Sequence, residues 1–156
     1  MSATTLQAER RLPFRPEDLC AMVGDVRAYP SFIPWILDLK VSGEHDVAGG
    51  RVAVAHVQVG WKALRERFST RVRSAPAAGE VDVTLVSGPF RKLENRWRFL
   101  PDGAGGSVVK FWIAFEFLIP VLNSLARANR EKVVARIMAA FEAEATRRCV
   151  PVTATV

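Results

Sequence analysis

The chain of 156 residues has little of the side chains that build disulfides, metal sites and nucleophilic centres. It holds two cysteines, Cys20 and Cys149, and two histidines, His45 and His56. The two cysteines are far apart, and no Cys-x-x-Cys pair or cysteine–histidine cluster occurs. We therefore expect two unlinked thiols in a reducing compartment, and no metal site.

Sequence motifs of nucleotide binding and hydrolysis are also missing. No glycine-rich phosphate loop and no Gly-x-Ser-x-Gly elbow is present. The tripeptide Glu44-His45-Asp46 directs three consecutive side chains differently, so we interpret it as a solvated turn. The sequence thus supplies no catalytic constellation.

Long apolar runs are absent too. The nearest approach to a membrane span, residues 111–126, is interrupted by Glu116, Pro120 and Asn123 and falls short of the ~20 apolar residues required. The N-terminal segment has no apolar secretory core. We expect no transmembrane segment, and a protein that is either free in the cytoplasm or peripheral at the inner membrane.

What the chain does have is enough apolar residues for one domain. It is 49% hydrophobic and carries 22 Lys and Arg against 16 Asp and Glu, a net charge of +6. We predict a single domain over residues 1–150 and a frayed tail over residues 151–156. The basic balance is compatible with RNA or an acidic membrane surface as partner.

Hydrophobic periodicity changes twice along the chain. We predict a strand over residues 5–14, a short helix over 15–27 and a helical turn or tight loop over 29–35. Residues 35–117 then alternate between apolar and polar positions in short runs separated by glycine and proline turns, which indicates an antiparallel meander with one apolar face. Residues 120–148 carry an apolar stripe at helical spacing and predict one long amphipathic helix.

These elements predict an α+β helix-grip fold. A curved antiparallel sheet of six to seven strands would wrap around the long C-terminal helix, with two short helices after the first strand. One helix, ~10 Å across, cannot fill the concavity of such a sheet. Part of the apolar sheet face should therefore line a ligand cavity.

Three polar residues are candidate anchors inside that cavity: His56, Glu66 and Asn95. His56 shares a strand face with Val52 and Val54, and we expect it to be a hydrogen-bonded residue of the interior or the pocket wall. Glu66 and Asn95 fall on the apolar registers of their strands. The alternatives are a β-bulge that turns Glu66 to solvent and a structural hydrogen bond for Asn95.

The opposite face of the predicted sheet is rich in arginine. Its candidate contacts to RNA or acidic lipid are Arg65, Arg67, Arg71, Arg73, Arg96 and Arg98. Acidic residues nearby neutralise part of this face. A solvated sheet surface and a docking surface for RNA or lipid are both open interpretations.

Two segments resemble a known family. Tyr29-Pro30-Ser31-Phe32-Ile33-Pro34-Trp35 and the segment from Gly88-Pro89-Phe90 to Trp97-Arg98-Phe99 are similar to signatures of the coenzyme Q-binding START-domain family, in the polyketide cyclase/START-like superfamily. That family includes bacterial ribosome-association toxins.

The resemblance implies a non-enzymatic carrier that binds ubiquinone or a related isoprenoid lipid and supports respiratory electron transport. Ubiquinone would be a bound ligand, with no covalent cofactor or metal. A toxin-like inhibitor that binds the large ribosomal subunit and blocks subunit association is the alternative. A cyclase-like enzyme with Glu66 or His56 as acid/base is less favoured.

The cavity and its gate are assigned from the apolar registers and the first signature segment. The gate is expected between residues 29–35 and the last helix near Leu122 and Leu125, and Trp35, Trp97 and Phe111 could lie against a quinone ring. The candidate ligand-binding residues are Tyr29, Phe32, Pro34, Trp35, Val54, Phe68, Leu85, Leu93, Trp97, Phe111, Phe115, Leu122, Val133 and Ile137.

Overall fold

The computed structural model describes residues 3–61 and 64–153, which contain one seven-stranded antiparallel sheet. The strands are adjacent in the order β1-β7-β6-β5-β4-β3-β2. Their bounds are β1 Thr4–Leu12, β2 Ile36–Val47, β3 Gly50–Trp61, β4 Leu64–Ala75, β5 Glu80–Ser87, β6 Phe90–Pro101 and β7 Ser107–Phe117. The α+β helix-grip prediction is confirmed.

Two helical segments follow β1, as predicted. They are α1 (Pro16–Gly24) and α2 (Tyr29–Phe32). Pro16 begins α1, and Glu17 and Asp18 lie in its first turn, where acidic groups favour the helix dipole. The predicted helix over 15–27 is too long, because α1 ends at Gly24 and a 3-10 turn follows.

The prediction of a single long C-terminal helix is wrong. The structure has two helices, α3 (Pro120–Ala128) and α4 (Arg130–Arg148), separated by Asn129 at φ −114° and ψ 21°. The Asn129 side chain donates a hydrogen bond from Nδ2 to the Leu125 carbonyl oxygen at 2.8 Å. Such a side-chain bond competes with the helical backbone ladder and favours a break. At 19 residues, α4 is about 28 Å long.

The packed core lies at the end of the sheet that α1 covers. Leu19 and Val23 of α1 and Val81 and Val109 of the sheet are almost completely buried. From α4, Phe141 lies 4.8 Å from Trp97, centroid to centroid. This end of the molecule is filled by two helices and the sheet.

The start of strand β2 pairs irregularly with β3, and this changes which of its side chains face inward. Its pairing with β3 shifts between Ile36 and Asp38. Ile36, Leu39 and Val41 consequently pack against the core, whereas Leu37 is exposed. The strict alternation expected from Trp35 onward is interrupted at this point.

The tail is held further than predicted. The Val152 backbone N–H donates to the Pro13 carbonyl oxygen at 2.7 Å. The chain is thus tied down to residue 152, and residues 154–156 of the predicted frayed tail lie outside the described part.

Candidate functional site

One end of the sheet is open, and we call it the mouth end. Strands β1, β2, β4 and β6 begin there, and β3, β5 and β7 end there. Many inner-face side chains near this end are half-buried rather than buried, because the helices do not cover them completely. They include Trp35, Val59, Glu66, Phe68, Leu85, Leu93, Ile113 and Phe117.

A chain of aromatic rings crosses the sheet at the mouth end. Phe68 meets Phe90 edge to face at 5.3 Å, and Phe90 stacks on Phe117 at 4.8 Å. Phe117 in turn lies 5.5 Å from Phe115. Phe90 and Phe117 were missed as site residues, although the Gly88-Pro89-Phe90 motif and the alternation of β7 could have indicated them.

The predicted ring-binding aromatics Trp97 and Phe111 lie deeper, in the packed core. Each is 3% exposed, and their centroids are 4.8 Å apart. Of the three aromatics predicted to meet a quinone ring, Trp35 alone is half-buried at the mouth end.

Tyr29 and Phe32 join the same core through α4. Each ring lies 5.4 Å from Phe141. The Tyr29 hydroxyl donates to the Val23 carbonyl oxygen, and burial raises the pKa of Tyr29. Part of the predicted gate is therefore a packed aromatic cluster between α2 and α4.

The expectation that His56 and Val54 face the interior is wrong. Both lie on the outer face of β3, since Ala55 and Val57 are the buried residues of that strand. His56 contacts Ser42 Oγ through Nε2 and Ser69 Oγ through Nδ1, each at 2.8 Å. Alanine and valine occupy both registers of this strand, so alternation could not reveal its inner face.

Asn95 faces inward but serves a structural hydrogen bond. Its Nδ2 donates to the Trp112 carbonyl oxygen at 2.9 Å, and its Oδ1 accepts from Trp97 Nε1 at 3.0 Å. The structural alternative stated for Asn95 is confirmed.

Glu66 also faces inward, opposite Val59. The pairing of β3 with β4 runs without a shift past this position, so the bulge alternative for Glu66 is wrong. Glu66 makes no hydrogen bond or ion pair with the described residues. Of the three predicted anchors, it is the one that presents unused polar atoms to the interior.

A further inward polar group was missed. Thr4 lies on the inner face of β1 opposite Phe115 and is 3% exposed. Its Oγ1 has no hydrogen-bond partner among the described residues. A threonine at the start of a strand carries no sequence signal for this role.

The helical wall of the mouth end is attached to β7 through Asn123. This buried side chain accepts from the Phe117 N–H at 2.8 Å and donates to the Phe117 carbonyl oxygen at 3.0 Å. Leu122, Val133 and Ile137 are half-buried on α3 and α4. Val134, the neighbour of Val133, packs against the main core.

Two surface clefts flank the fold. One, of about 370 Å³, lies beside Asn123 at the mouth end between Arg91, Glu116 and α3. The other, of about 270 Å³, lies at the opposite end between α1 and strands β2 to β4. None of the predicted cavity residues lines either cleft. Pro34, a predicted gate residue, is exposed on the loop before β2.

The arginine-rich outer face divides into a paired and an unpaired half. Arg73 and Arg98 share Glu80 and Asp82, with Arg98 Nη1 at 2.7 Å from Asp82 Oδ1. Burial raises the pKa of Asp82, but the two guanidiniums outweigh it and hold this pKa below its ordinary value.

Arg96 is occupied as well. It binds Glu94 at 2.7 Å and lies over the Trp112 ring at 4.9 Å. Arg65, Arg67 and Arg71 have no ion pair with the described residues. Of the six predicted arginines, the three without an ion pair to the described residues therefore all lie on β4.

Metal-binding clusters, membrane-spanning helices and cysteine pairing concern the same described part of the chain. In residues 3–61 and 64–153, no group of three His, Cys, Asp or Glu side chains could hold a metal ion. No helix in these ranges has the length and apolarity to cross a membrane. Cys20 and Cys149 are free thiols, and burial raises the pKa of Cys20 to about 11.

With the geometry in place, the chain can be compared with known proteins. The family described as polyketide cyclase / dehydrase and lipid transport matches residues 12–142. The chain belongs to this family. The resemblance inferred from the two signature segments is confirmed.

Relatives in the family carry two different names. A ribosome association toxin RatA of Rickettsia prowazekii is 26% identical over 90% of this chain and 95% of its own length. The mitochondrial coenzyme Q-binding protein coq10 of Schizosaccharomyces pombe is 26% identical over 89% of this chain and 85% of its own. A Xenopus laevis homologue, COQ10 homolog B, is 30% identical over 87% of this chain and 55% of its own.

Solved structures share the fold. An 18 kDa protein of Caulobacter crescentus is 38% identical, with a TM-score of 0.77 over 92% of this chain and 97% of its own. The Zhui aromatase/cyclase of a Streptomyces species has the same TM-score at 15% identity, over 94% of this chain and 95% of its own. The latter likeness shows the fold alone.

Proposed function

We propose that this protein binds coenzyme Q, or a closely related isoprenoid lipid, on the inner face of the mouth end and carries it without transforming it. The observation that carries the proposal is the half-buried apolar inner face between Trp35, Leu85 and Leu93. An isoprenoid chain placed there hides CH₂ groups at about 0.8 kcal/mol each. The coenzyme Q-binding relatives support the choice of ligand.

The aromatic chain at the mouth end suits the quinone headgroup. Phe68, Phe90 and Phe117 present flat rings next to one another across three strands. A planar ring would stack or pack edge-on against them. The isoprenoid tail would then lie along Leu85 and Leu93, toward the packed core.

The proposed protein does not change its ligand chemically. Glu66 lies on the inner face of the sheet and His56 on the outer face, so they cannot act on one bound molecule. The cyclase-like alternative consequently has Glu66 without a second proton-transferring partner. Unchanged ligand after prolonged incubation with the protein is the expected result, checked by mass spectrometry.

Tryptophan fluorescence tests quinone binding directly. Short-tail ubiquinone should quench saturably, and Trp35→Phe should remove a large share of that quenching because Trp35 is half-buried at the mouth end. Leu93→Phe should weaken quinone binding about tenfold, because the larger ring fills part of the half-buried apolar inner face, which we call the apolar groove.

The matched control is Val54→Phe, which adds the same ring on the outer face and should leave the affinity unchanged. Equal affinities for wild type and Leu93→Phe would contradict the proposed location. Absence of saturable quenching with every tail length would contradict the function.

A second candidate function is association with the ribosome, favoured by the unpaired Arg65, Arg67 and Arg71. Three phosphate contacts would make RNA binding strongly dependent on salt. Replacing the three by glutamine should abolish co-sedimentation with the large ribosomal subunit. The matched control replaces the paired Arg73, Arg96 and Arg98, and equal loss in both variants would argue against this surface.

A further inference from the structure

The exposed apolar side chains of this protein are concentrated at the mouth end. Among the described residues, ten large hydrophobic side chains are exposed, and eight of them lie there. We call these eight the apolar rim: Leu37, Trp61, Leu64, Val86, Leu118, Ile119, Val121 and Leu125. The other two, Leu100 and Val150, lie at the opposite end. A large apolar patch on one end marks an interaction surface.

The rim comes from four separate segments around the opening. These are the start of β2, the end of β3 with the start of β4, the end of β5, and the segment from the end of β7 through α3. Exposed apolar side chains from several separate segments suit insertion into a soft apolar medium. Trp61, which is 47% exposed, is the residue type that favours the water–lipid boundary.

Positive charge follows the rim closely along the chain. Arg65 and Arg67 come after Leu64, and Arg91 and Lys92 come after Val86. Arg130 and Lys132 begin α4, just beyond Leu125. Apolar tips bordered by cations complement a bilayer whose headgroups are negative.

The acidic groups at this end offset only part of that charge, since four carboxyl groups stand against the six cations named above. They are Asp38, Glu66, Glu116 and Glu131. Glu66 faces the interior, and Glu116 is paired with Arg91 at 3.4 Å with its side chain 13% exposed. At the opposite end, Arg27 and Arg51 both pair with Glu44.

We propose that the mouth end docks on an anionic lipid bilayer, with the apolar rim inserted among the acyl chains and the bordering cations on the headgroups. The inference deepens the proposed function and rests on it in one respect, the ligand. In this orientation a lipid passes between the bilayer and the inner face without crossing water. The filled end, with α1 and the C-terminus of α4, points away from the membrane.

Flotation with lipid vesicles tests the docking surface. The wild-type protein should float with vesicles of phosphatidylglycerol and phosphatidylcholine and less with phosphatidylcholine alone. The double variant Leu118→Ser/Val121→Ser should lose about tenfold in partitioning. The matched control Leu100→Ser/Val150→Ser removes the two exposed apolar residues of the opposite end and should partition as the wild type does.

Three outcomes would overturn the docking proposal. The first is that the wild type does not float with vesicles, and the second is that the two double variants lose partitioning equally. The third is that Leu118→Ser/Val121→Ser loses binding to the large ribosomal subunit although no binding to vesicles is observed. The last would assign the rim to a ribosomal partner. Thermal unfolding of each variant shows that it is folded.

Quinone titration without vesicles separates this inference from the proposed function. Saturable quenching without flotation would remove the docking surface alone. Flotation with flat quenching would remove the quinone carrier and leave the membrane-docking surface. In the expected case, both double variants retain the wild-type quinone affinity, because their changes lie outside the groove.

Discussion

At the scale of single residues, Glu66 sets the chemistry that the interior can offer a ligand. Its neighbours across and along the sheet, Val59 and Phe68, are apolar, and it has no partner among the described residues. A carboxylate accepts hydrogen bonds and donates none. Quinone carbonyls are acceptors as well, whereas the hydroxyls of a quinol are donors.

This difference predicts a redox preference. Wild-type protein should bind the reduced, quinol form of a short-tail ubiquinone more tightly than the quinone, by about tenfold for a hydrogen bond to a charged group. Glu66→Gln supplies an N–H donor and should shift the preference toward the quinone. Parallel titrations of both forms under anaerobic conditions measure the ratio, and an unchanged ratio in Glu66→Gln would remove Glu66 as an anchor.

Another residue, Glu144, stabilises the fold through charge. Its side chain is 1% exposed and accepts two hydrogen bonds from Arg147, at 2.7 and 2.8 Å. These bonds and the nearby Arg148 hold the pKa of Glu144 below its ordinary value. A carboxyl group with a lowered pKa in the folded state stabilises the protein above its unfolded-state pKa, near 4.3.

Stability should therefore fall as pH drops through the acid range below about 4. Glu144→Gln should cost about 1 kcal/mol near neutral pH, a modest figure because Arg147 is 67% exposed and solvent screens the pair. The cost should be smaller at about pH 3, which is closer to the range in which the wild-type carboxyl is protonated too. Urea unfolding at both pH values measures this.

Glu142→Gln is the control, since Glu142 makes one surface ion pair with Arg10 at 3.5 Å. A cost for Glu144→Gln that is the same at both pH values would show that its role is packing rather than charge.

At the scale of elements, the division into α3 and α4 separates a helix that is packed into the core from a helix that lies at the mouth end. Helix α4 is packed into the core by Met138, Phe141 and Ala145. Helix α3 has one buried residue, Asn123, and is attached to the end of β7 by that side chain. Few buried apolar contacts predict a low free energy of local opening.

Asn123→Ala should loosen α3 selectively. We expect amide hydrogen exchange in residues 120–128 to accelerate, with global stability reduced by about 1 to 3 kcal/mol for the unpaired backbone groups of Phe117. Exchange in α4 should change only with global stability. Ser124→Ala, an exposed change on the same helix, is the control, and equal acceleration in both helices would contradict independent opening of α3.

At the scale of the whole molecule, the filled end and the mouth end have different roles. The filled end is a continuous core between α1, α4 and the sheet, and it supplies stability. The open end leaves apolar surface uncovered, which costs stability in the free protein. A ligand that covers this surface should return that stability.

Ligand binding should accordingly raise the melting temperature. At a short-tail ubiquinone concentration of 100 times Kd, the stabilisation is about 2.7 kcal/mol. For a chain of this size the shift is about 5 to 10 °C. Leu93→Phe should melt near the wild-type temperature without ligand and shift less with it, and an equal shift in both proteins would place the ligand elsewhere.

Hydrophobic periodicity was enough to predict the sheet, the helices and the presence of an uncovered inner face. It placed Phe68, Leu85 and Leu93 inward because their strands alternate between mostly apolar and mostly polar positions. It failed at His56, because β3 is apolar on both registers. It also failed at Asn129, whose non-helical backbone angles divide the helix while the apolar stripe continues.

The sequence by itself determined the antiparallel meander, the family and the residue types of the inner face, because these depend on local alternation and short motifs. The tertiary structure alone decided which aromatics are core, which arginines are free and where the exposed apolar residues gather. Trp97 is closed off by Phe141 and Arg73 is paired with Asp82, each from a distant part of the chain. Burial and charge pairing depend on neighbours in space, and only the complete fold brings those neighbours together.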